Sequence, residues 1–328
     1  MLDFIRLDVR AMPASAENGR AMSILKKSID SGSSYFVKLS ILVITKDNDF
    51  RQEIKSILEH QYSRGDLAIT DEFKEAINKF KQTQFDLVIL QAGQNDLNYA
   101  RFCKEIRDGR IGSHPFPIVC FYLTRPTPEF MQNVIDCGPD DILKMPLVAS
   151  HLLTRLDGLA RSRLPFVVTR NYTGPTRRKE NPPGAEVIPE IEPPNPLAAK
   201  IKRLSELALT KEIDAASQRI SQLKFQRQGV QLNWLAKTIY ETVYRIGGTD
   251  STVLANVEEI KNVSQKLYND TAQWRRSTIS DDTKALNDIA KAIQTARGDF
   301  DVTLLTDLVD VTERIQAEIN RVNGLSGQ

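Results

Sequence analysis

Acidic residues recur just beyond short apolar runs in this chain: Asp47 and Asp49 after the run 39–44, Asp96 in the stretch Gln94, Asn95, Asp96 after 85–90, and the pair Asp140 and Asp141 opening the run 141–143. Carboxylates gathered at strand ends are the hard oxygen donors that a divalent cation takes, so a rearranged acidic metal site is one reading. The commoner role of loop carboxylates at such places is to cap the helices that follow, and that is the reading adopted. The residues standing immediately at the strand ends are not acids: Thr45 and Lys46 follow the first run, and Gln91 follows the third. His60, His114 and His151 fall in three different segments and read as solvated or helix-packed imidazoles. Cys103, Cys120 and Cys137 form no C-x-x-C and read as reduced, packed thiols. Phosphate loops of the G-x-x-x-x-G-K-[ST] kind and G-x-S-x-G elbows are absent. The side chains therefore point to no catalytic residue, no metal and no cofactor, and the chain is expected not to be an enzyme.

With 328 residues, 41% of them hydrophobic, the chain can bury a sizeable core in two domains, and a formal net charge of +2 exerts no global pull toward nucleic acid. No apolar run approaches the roughly 18 residues of a membrane span, so a cytoplasmic location is expected. Residues 1–37 mix charge with Ala, Ser and Gly, and read as a flexible leader or, given Met22, an over-extended start.

The elements that must hold the polar positions follow from periodicity. Apolar runs at 39–44, 67–70, 85–90, 118–123 and 141–143 alternate with segments of helical period, among them Phe50, Ile54, Leu58 and Leu152, Leu156, Leu159. This is the pattern of a doubly wound, five-stranded parallel α/β sheet over residues 38–162. Pro175, Pro182, Pro183, Pro189, Pro193, Pro194 and Pro196 mark 163–196 as an extended, semi-rigid linker. Residues 197–328 are nearly proline-free and read as helix throughout, with separate stripes through Leu204 to Leu223 and Leu232 to Ile246. A third follows a cap at Asp250 or Ser251, a fourth is opened by Ser280-x-x-Thr, and a last runs from Leu305 to Val322. Such stripes need partners, in an antiparallel helical bundle or a dimeric coiled coil.

The runs 40–44 (SILVI), 85–90 (FDLVIL) and 116–121 (FPIVCF), with 138–146 (GPDDILKMP), make the first domain resemble the CheY-like receiver domain of two-component response regulators. In that family two acids after the first strand and an aspartate after the third hold magnesium, and the aspartate accepts a phosphoryl group. Here the acid pair falls on Thr45 and Lys46, and the acceptor on Gln91. An amide lacks both the charge to bind the metal and the nucleophilicity to form an acyl phosphate. The family's switch hydroxyl falls on Tyr122, with Thr124 close by, and its lysine on Met145, with Lys144 one position early. One residue's offset on a strand turns a side chain to the other face. Lys46, standing where the acid pair would be, could mimic the metal's charge.

The resemblance implies a degenerate pseudo-receiver acting by protein-protein interaction, as adaptor, scaffold or localisation factor in a bacterial two-component-type pathway. Its protein partner, a signalling or polar-localised protein, would dock on a face around Tyr122, Thr124, Lys144, Met145 and Pro146, and a homodimer could form through the C-terminal helices. Two rivals remain open. A phosphatase-like modulator of another receiver could use Asp310 with Gln316, or Glu318 with Asn320, to orient water. A DNA-binding regulator would need a basic recognition helix, and the C-terminal helices balance their charges instead. The basic cluster Arg161, Arg163, Arg170, Arg177, Arg178 and Lys179 reads as a solvated hinge, and Trp274-Arg275-Arg276 as a helix end.

Overall fold

A computed structural model of the chain describes residues 38–62, 65–93, 96–177, 188–246, 248–272, 277–296 and 302–324. The expected leader, Arg178 with Lys179, and Trp274 to Arg276 lie outside the described residues. The first domain runs β1 (Ser40–Ile44), α1 (Asn48–Gln61), β2 (Asp66–Thr70), α2 (Phe73–Gln82), β3 (Leu87–Ala92), α3 (Leu97–Arg107), β4 (Ile118–Leu123), α4 (Pro128–Asp136), β5 (Asp141–Lys144) and α5 (Ala149–Arg161). The strands are all parallel, in the order β2-β1-β3-β4-β5. Helices cover both faces, which is why the central strands are apolar at nearly every position rather than alternating. Leu42, Ile44, Val88, Leu90, Val119 and Phe121 face the layer formed by α2, α3 and α4. Ile41, Val43, Ile89, Cys120 and Tyr122 face α1 and α5.

The proline-rich segment departs from the sequence expectation. Its described residues, 163–177 and 188–196, are not a free linker: β6 (Phe166–Val168), β7 (Thr173–Pro175) and β8 (Glu190–Ile191) pair antiparallel in the order β7-β6-β8. Proline excludes helix but is tolerated on edge strands, and Pro175 ends one. Phe166, Val168 and Ile191 are buried against α6 (Pro196–Ile201) and the first half of α7 (Glu206–Ile246).

The two apolar stripes, apart from Leu204, belong to the single 41-residue helix α7. Gly229 lies between them not as a break but as a point of close approach, since a Cβ there would come within 2.7 Å of Gln316 Oε1. The second half of α7 packs with α8 (Ser251–Ala272), α9 (Ser277–Ala296) and α10 (Val302–Val322) around Leu235, Ile239, Val257, Ile260, Leu286, Ile293, Leu308 and Ile315. Consecutive helices are neighbours, and α10 returns to α7 to close a four-helix bundle. The stripes thus find their partners within the chain. Asp250 caps α8, its carboxylate accepting the Val253 N–H at 2.8 Å. The Ser280-x-x-Thr motif opens nothing: both residues lie inside α9, where the Thr283 hydroxyl donates to the Ser280 carbonyl.

A buried ion cluster joins the pieces. Asp140, Arg107 and Arg163 have side chains only 1%, 1% and 2% exposed. Asp140 accepts from Arg107 Nη2 at 2.7 Å, from Arg163 Nε at 2.8 Å and from the Val119 N–H at 2.8 Å. The guanidiniums use their remaining donors on carbonyls: Arg107 on Gly138, Pro115 and Pro117, and Arg163 on Phe116, Pro117 and Pro194. Both lie over the Phe166 ring, 5.1 and 4.7 Å from its centroid. Burial alone would raise the Asp140 pKa, but the charges of Arg163 and Arg107 outweigh it and hold the carboxyl below its ordinary range. The solvated-cap reading of Asp140 and Asp141 does not hold, and the solvated-hinge reading of the basic cluster fails at Arg163, while Arg161, Arg170 and Arg177 stay exposed. Asp141 is also buried and grips Arg155, while Arg161 pairs with Asp157, Arg170 with Glu259, and Arg177 donates to Pro139.

His114 sits beside this cluster, 5% exposed rather than solvated. Its Nδ1 accepts the Phe116 N–H at 3.1 Å, and its Nε2 lies 2.7 Å from the Gln84 side-chain amide. Burial, reinforced by the charges of Arg163 and Arg107, pushes its pKa down to about 4.

Two measurements follow from this junction. Arg163→Ala leaves buried carbonyls without donors and Asp140 with half its countercharge, and should cost about 3–5 kcal/mol in equilibrium urea unfolding; an unchanged midpoint would refute the role given to the cluster. For His114 the unfolded chain takes up a proton near pH 6.5 that the folded chain refuses until about 4. Its stabilising contribution is therefore complete above about 6.5 and lost as pH falls toward 4. His114→Gln should flatten the slope of stability against pH in that window.

Candidate functional site

The carboxyl edge of the parallel sheet is where a doubly wound fold presents its chemistry, because the strands end there in loops. Thr45 follows β1, Gln91 sits near the end of β3 beside Tyr122 of β4, and Met145 follows β5. The structure brings Thr45 and Gln91 together. The Thr45 hydroxyl donates to Gln91 Oε1 at 2.9 Å and accepts the Asp47 N–H at 3.0 Å, with both side chains buried.

Lys46 is not part of this pair. It is exposed, and its Nζ reaches Asp96 Oδ2 at 3.2 Å. The idea that it takes a metal's place within the pocket gives way to a solvated ion pair between two loops, which contributes on the order of 0–1 kcal/mol. Burial works against ionising Asp96, but the Lys46 ammonium and the Asn98 N–H hold its carboxyl below the usual range.

The loop carboxylates are committed as caps. Asp47 accepts the N–H groups of Asp49 and Phe50 at the start of α1, and Asp96 that of Asn98 at the start of α3. Magnesium, which the receiver resemblance implies, asks for several anionic oxygens free to converge. The residues present do not fit it: the central donors are a neutral hydroxyl and a neutral amide satisfied by each other, flanked by a lysine. No group of three or more His, Cys, Asp or Glu side chains with metal-binding geometry stands together among the described residues.

Tyr122 is placed differently from the expectation. Its side chain is 1% exposed, packed against Phe50 with ring centroids 5.3 Å apart, and so belongs to the core beneath the edge rather than to a docking face. Burial drives its pKa far above the ordinary phenol range. Its hydroxyl has no hydrogen-bond partner among the described residues. Thr124, Lys144 and Pro146 are exposed, and Met145 is half-buried against the layer that includes Tyr122. The Met145–Pro146 peptide is cis.

Arg51 was missed by sequence reasoning. It projects from α1 to the same edge, donating to the Thr45 carbonyl at 3.2 Å and pairing with Asp71 at 3.4 Å. Its signal in the sequence was only a polar residue one helical step after Asp47. Three of the four acid-amide residues considered on the last helix have partners close by. Gln316 donates to Asn320 and lies against Gly229, while Glu318 pairs with Arg321.

The strand order and the two helical layers give the domain its class. The N-terminal unit is receiver-like in fold. A CheY-like response regulator protein from Mesorhizobium loti is similar at 16% identity, over 36% of this chain and 94% of that one, with a TM-score of 0.30. The receiver domain of a sensor histidine kinase from Pseudomonas aeruginosa PAO1, with a magnesium ion coordinated in its active site cleft, is similar at 16% identity. That likeness covers 38% of this chain and 99% of that one, with a TM-score of 0.33. No protein-family model and no curated protein matches the chain. No helix of the described residues is long and apolar enough to cross a membrane.

The orphaned hydroxyl supplies a test. Tyr122→Phe removes a buried polar atom that makes no bond while keeping the ring against Phe50, so it should be stabilising by about 1 kcal/mol in urea unfolding. A loss of more than about 1 kcal/mol would mean that the hydroxyl has a partner.

Proposed function

We propose that this chain is a receiver-like signalling protein that works without phosphoryl transfer and acts by binding another protein. The observation that carries the reading is the buried hydrogen bond between Thr45 and Gln91. It occupies, with two neutral and mutually satisfied groups, the positions where the resemblance places a metal-binding acid and the phosphoryl acceptor. A carboxamide oxygen already accepting a hydroxyl proton is a poor nucleophile, and the two cations described at this edge, Lys46 and Arg51, are engaged with Asp96 and Asp71.

What remains at that edge is a surface. Thr124, Lys144 and Pro146 are exposed at the adjoining ends of β4 and β5, held by the Met145 N–H donating to the Leu123 carbonyl at 3.1 Å. We assign partner docking to these three with the exposed part of Met145, and leave Tyr122 as the buried support beneath them. The helical bundle is joined to the first domain through the buried ion cluster and α7, so an adaptor of this form would present two surfaces at a fixed separation. Leu232, Leu235 and Ile239 of the apolar stripes on α7 pack within the bundle, while Leu207 and Ile246 of the same helix stay exposed.

Incubating the full chain with a small phosphodonor and magnesium should leave its mass unchanged. A stable added phosphoryl group mapping to residues 38–162 would overturn the proposal. On the binding side, Lys144→Glu should abolish capture of whatever protein the parent chain retains, and Lys211→Gln, on the exposed side of α7, should not.

A further inference from the structure

The buried stripe in the first half of α7 has a strict repeat. Leu209, Ile213, Ala216, Ile220 and Leu223 follow one another at alternating steps of four and three residues, and all belong to one buried cluster with Phe116, Phe166 and Ile191. The same steps continue unbroken through Arg227, Val230, Trp234, Lys237, Glu241 and Tyr244. A seven-residue repeat drifts about 20° per heptad around a straight helix, so the seam winds off the small sheet as α7 advances. The opposite side of the helix, through Leu232, Leu235 and Ile239, is already turned into the bundle. Beyond Arg227 the seam therefore meets water: Val230, Trp234 and Tyr244 are 50%, 59% and 81% exposed. Single exposed apolar side chains are ordinary, but these three lie in line with a buried interface, and two are of the aromatic types that anchor protein contacts.

The charges set between the aromatic residues decide what fits. Laid parallel on a second copy, the seam would oppose Lys237 to Lys237 and Glu241 to Glu241. It would also bring to one end both first domains, which lie against α7 from Leu209 to Leu223. Laid antiparallel, the seam is self-complementary. When Lys237 stands opposite the second copy's Glu241, Trp234 falls opposite its Tyr244, because both pairs have residue 239 as their midpoint. A two-fold axis then makes each contact twice, as an isologous interface requires, and charged core positions of this kind fix register and orientation between helices. Tyr240, stacked on Tyr244 with ring centroids 6.4 Å apart, borders the seam. Lys237 pairs in its own chain with Glu313 at 2.9 Å, both side chains half exposed, a solvated pair that exchanges partners at little cost.

We propose that α7 pairs with α7 of a second copy, antiparallel about a two-fold axis at the level of Ile239, along the seam from Val230 to Tyr244. A contact about 21 Å long belongs to the smaller, reversible class of interface. The pairing stands independently of the docking reading, since it uses no residue of the parallel sheet's carboxyl edge.

Sedimentation equilibrium of the full chain between about 5 and 300 μM, at roughly 0.15 M salt, tests it. A monomer–dimer equilibrium with a micromolar dissociation constant is expected. Trp234→Ala should weaken it at least about tenfold, and because that side chain is exposed the circular dichroism of the helices should not change. Lys237→Glu should weaken it by a similar factor, and adding Glu241→Lys to the same chain should restore it, since the reciprocal pairs are then reversed rather than lost. In a parallel pair the double variant would recover nothing. Lys211→Gln, outside the exposed seam, should leave association unchanged. A chain that stays monomeric throughout this range overturns the proposal, as do species larger than a dimer, a dimer indifferent to Trp234→Ala, or a charge reversal that Glu241→Lys does not rescue.

Discussion

Everything between the first domain and the helices depends on one carboxylate. Asp140 sits between Arg107 and Arg163 with essentially no exposure, and each guanidinium spends its other donors on carbonyls from the loops on either side. Burying a charge is costly unless it is both paired and hydrogen-bonded, and here both conditions are met. The geometry fixes the end of α3, the approach to β4, the turn into β5 and the proline-rich segment in one arrangement. Phe166 completes it by offering its ring face to both cations. The small antiparallel sheet is therefore anchored to the first domain by ions on one side and to α7 by apolar packing on the other.

This arrangement also explains why the segment beyond residue 162 is no mere tether. A boundary drawn at the end of α5 would take Arg163 away from Asp140 and uncover Phe116, which packs with Phe166 and the early turns of α7. The receiver-like domain and its neighbour share a seam in which neither side is complete without the other.

The parallel sheet was legible in the sequence because its signal is local: branched apolar runs, bounded by turn residues, at spacings that admit a helix between them. The places of Thr45, Lys46 and Gln91 at the strand ends were legible for the same reason. What escaped was everything that depends on distant residues meeting. Arg107 lies on a helix whose buried neighbours Phe102, Cys103 and Ile106 announce a core face, yet a lysine or arginine at such a place usually reaches solvent. Only the fold shows that a carboxylate 33 positions away waits for it. Arg163 was read with its sequence neighbours as one basic patch, but Arg161, Arg163, Arg170 and Arg177 serve four different partners. Proline counting excluded helix, as the described residues of the segment bear out, but it carries no information about short edge strands. The two stripes read in this stretch lie on one helix and serve two different packing partners.

That uninterrupted helix has a geometric consequence. A helix of 41 residues is about 60 Å long, and its two halves serve different neighbours, so it fixes both the spacing and the rotational phase between them. Inserting one residue between the halves would advance everything beyond by about 1.5 Å and turn it by about 100°. Such an insertion would carry the bundle's apolar seam out of register with the sheet it now faces. The chain is consequently intolerant of length change at the very point where a jointed protein would accept it most easily, and any motion between the two halves must travel as rotation or translation of a rod.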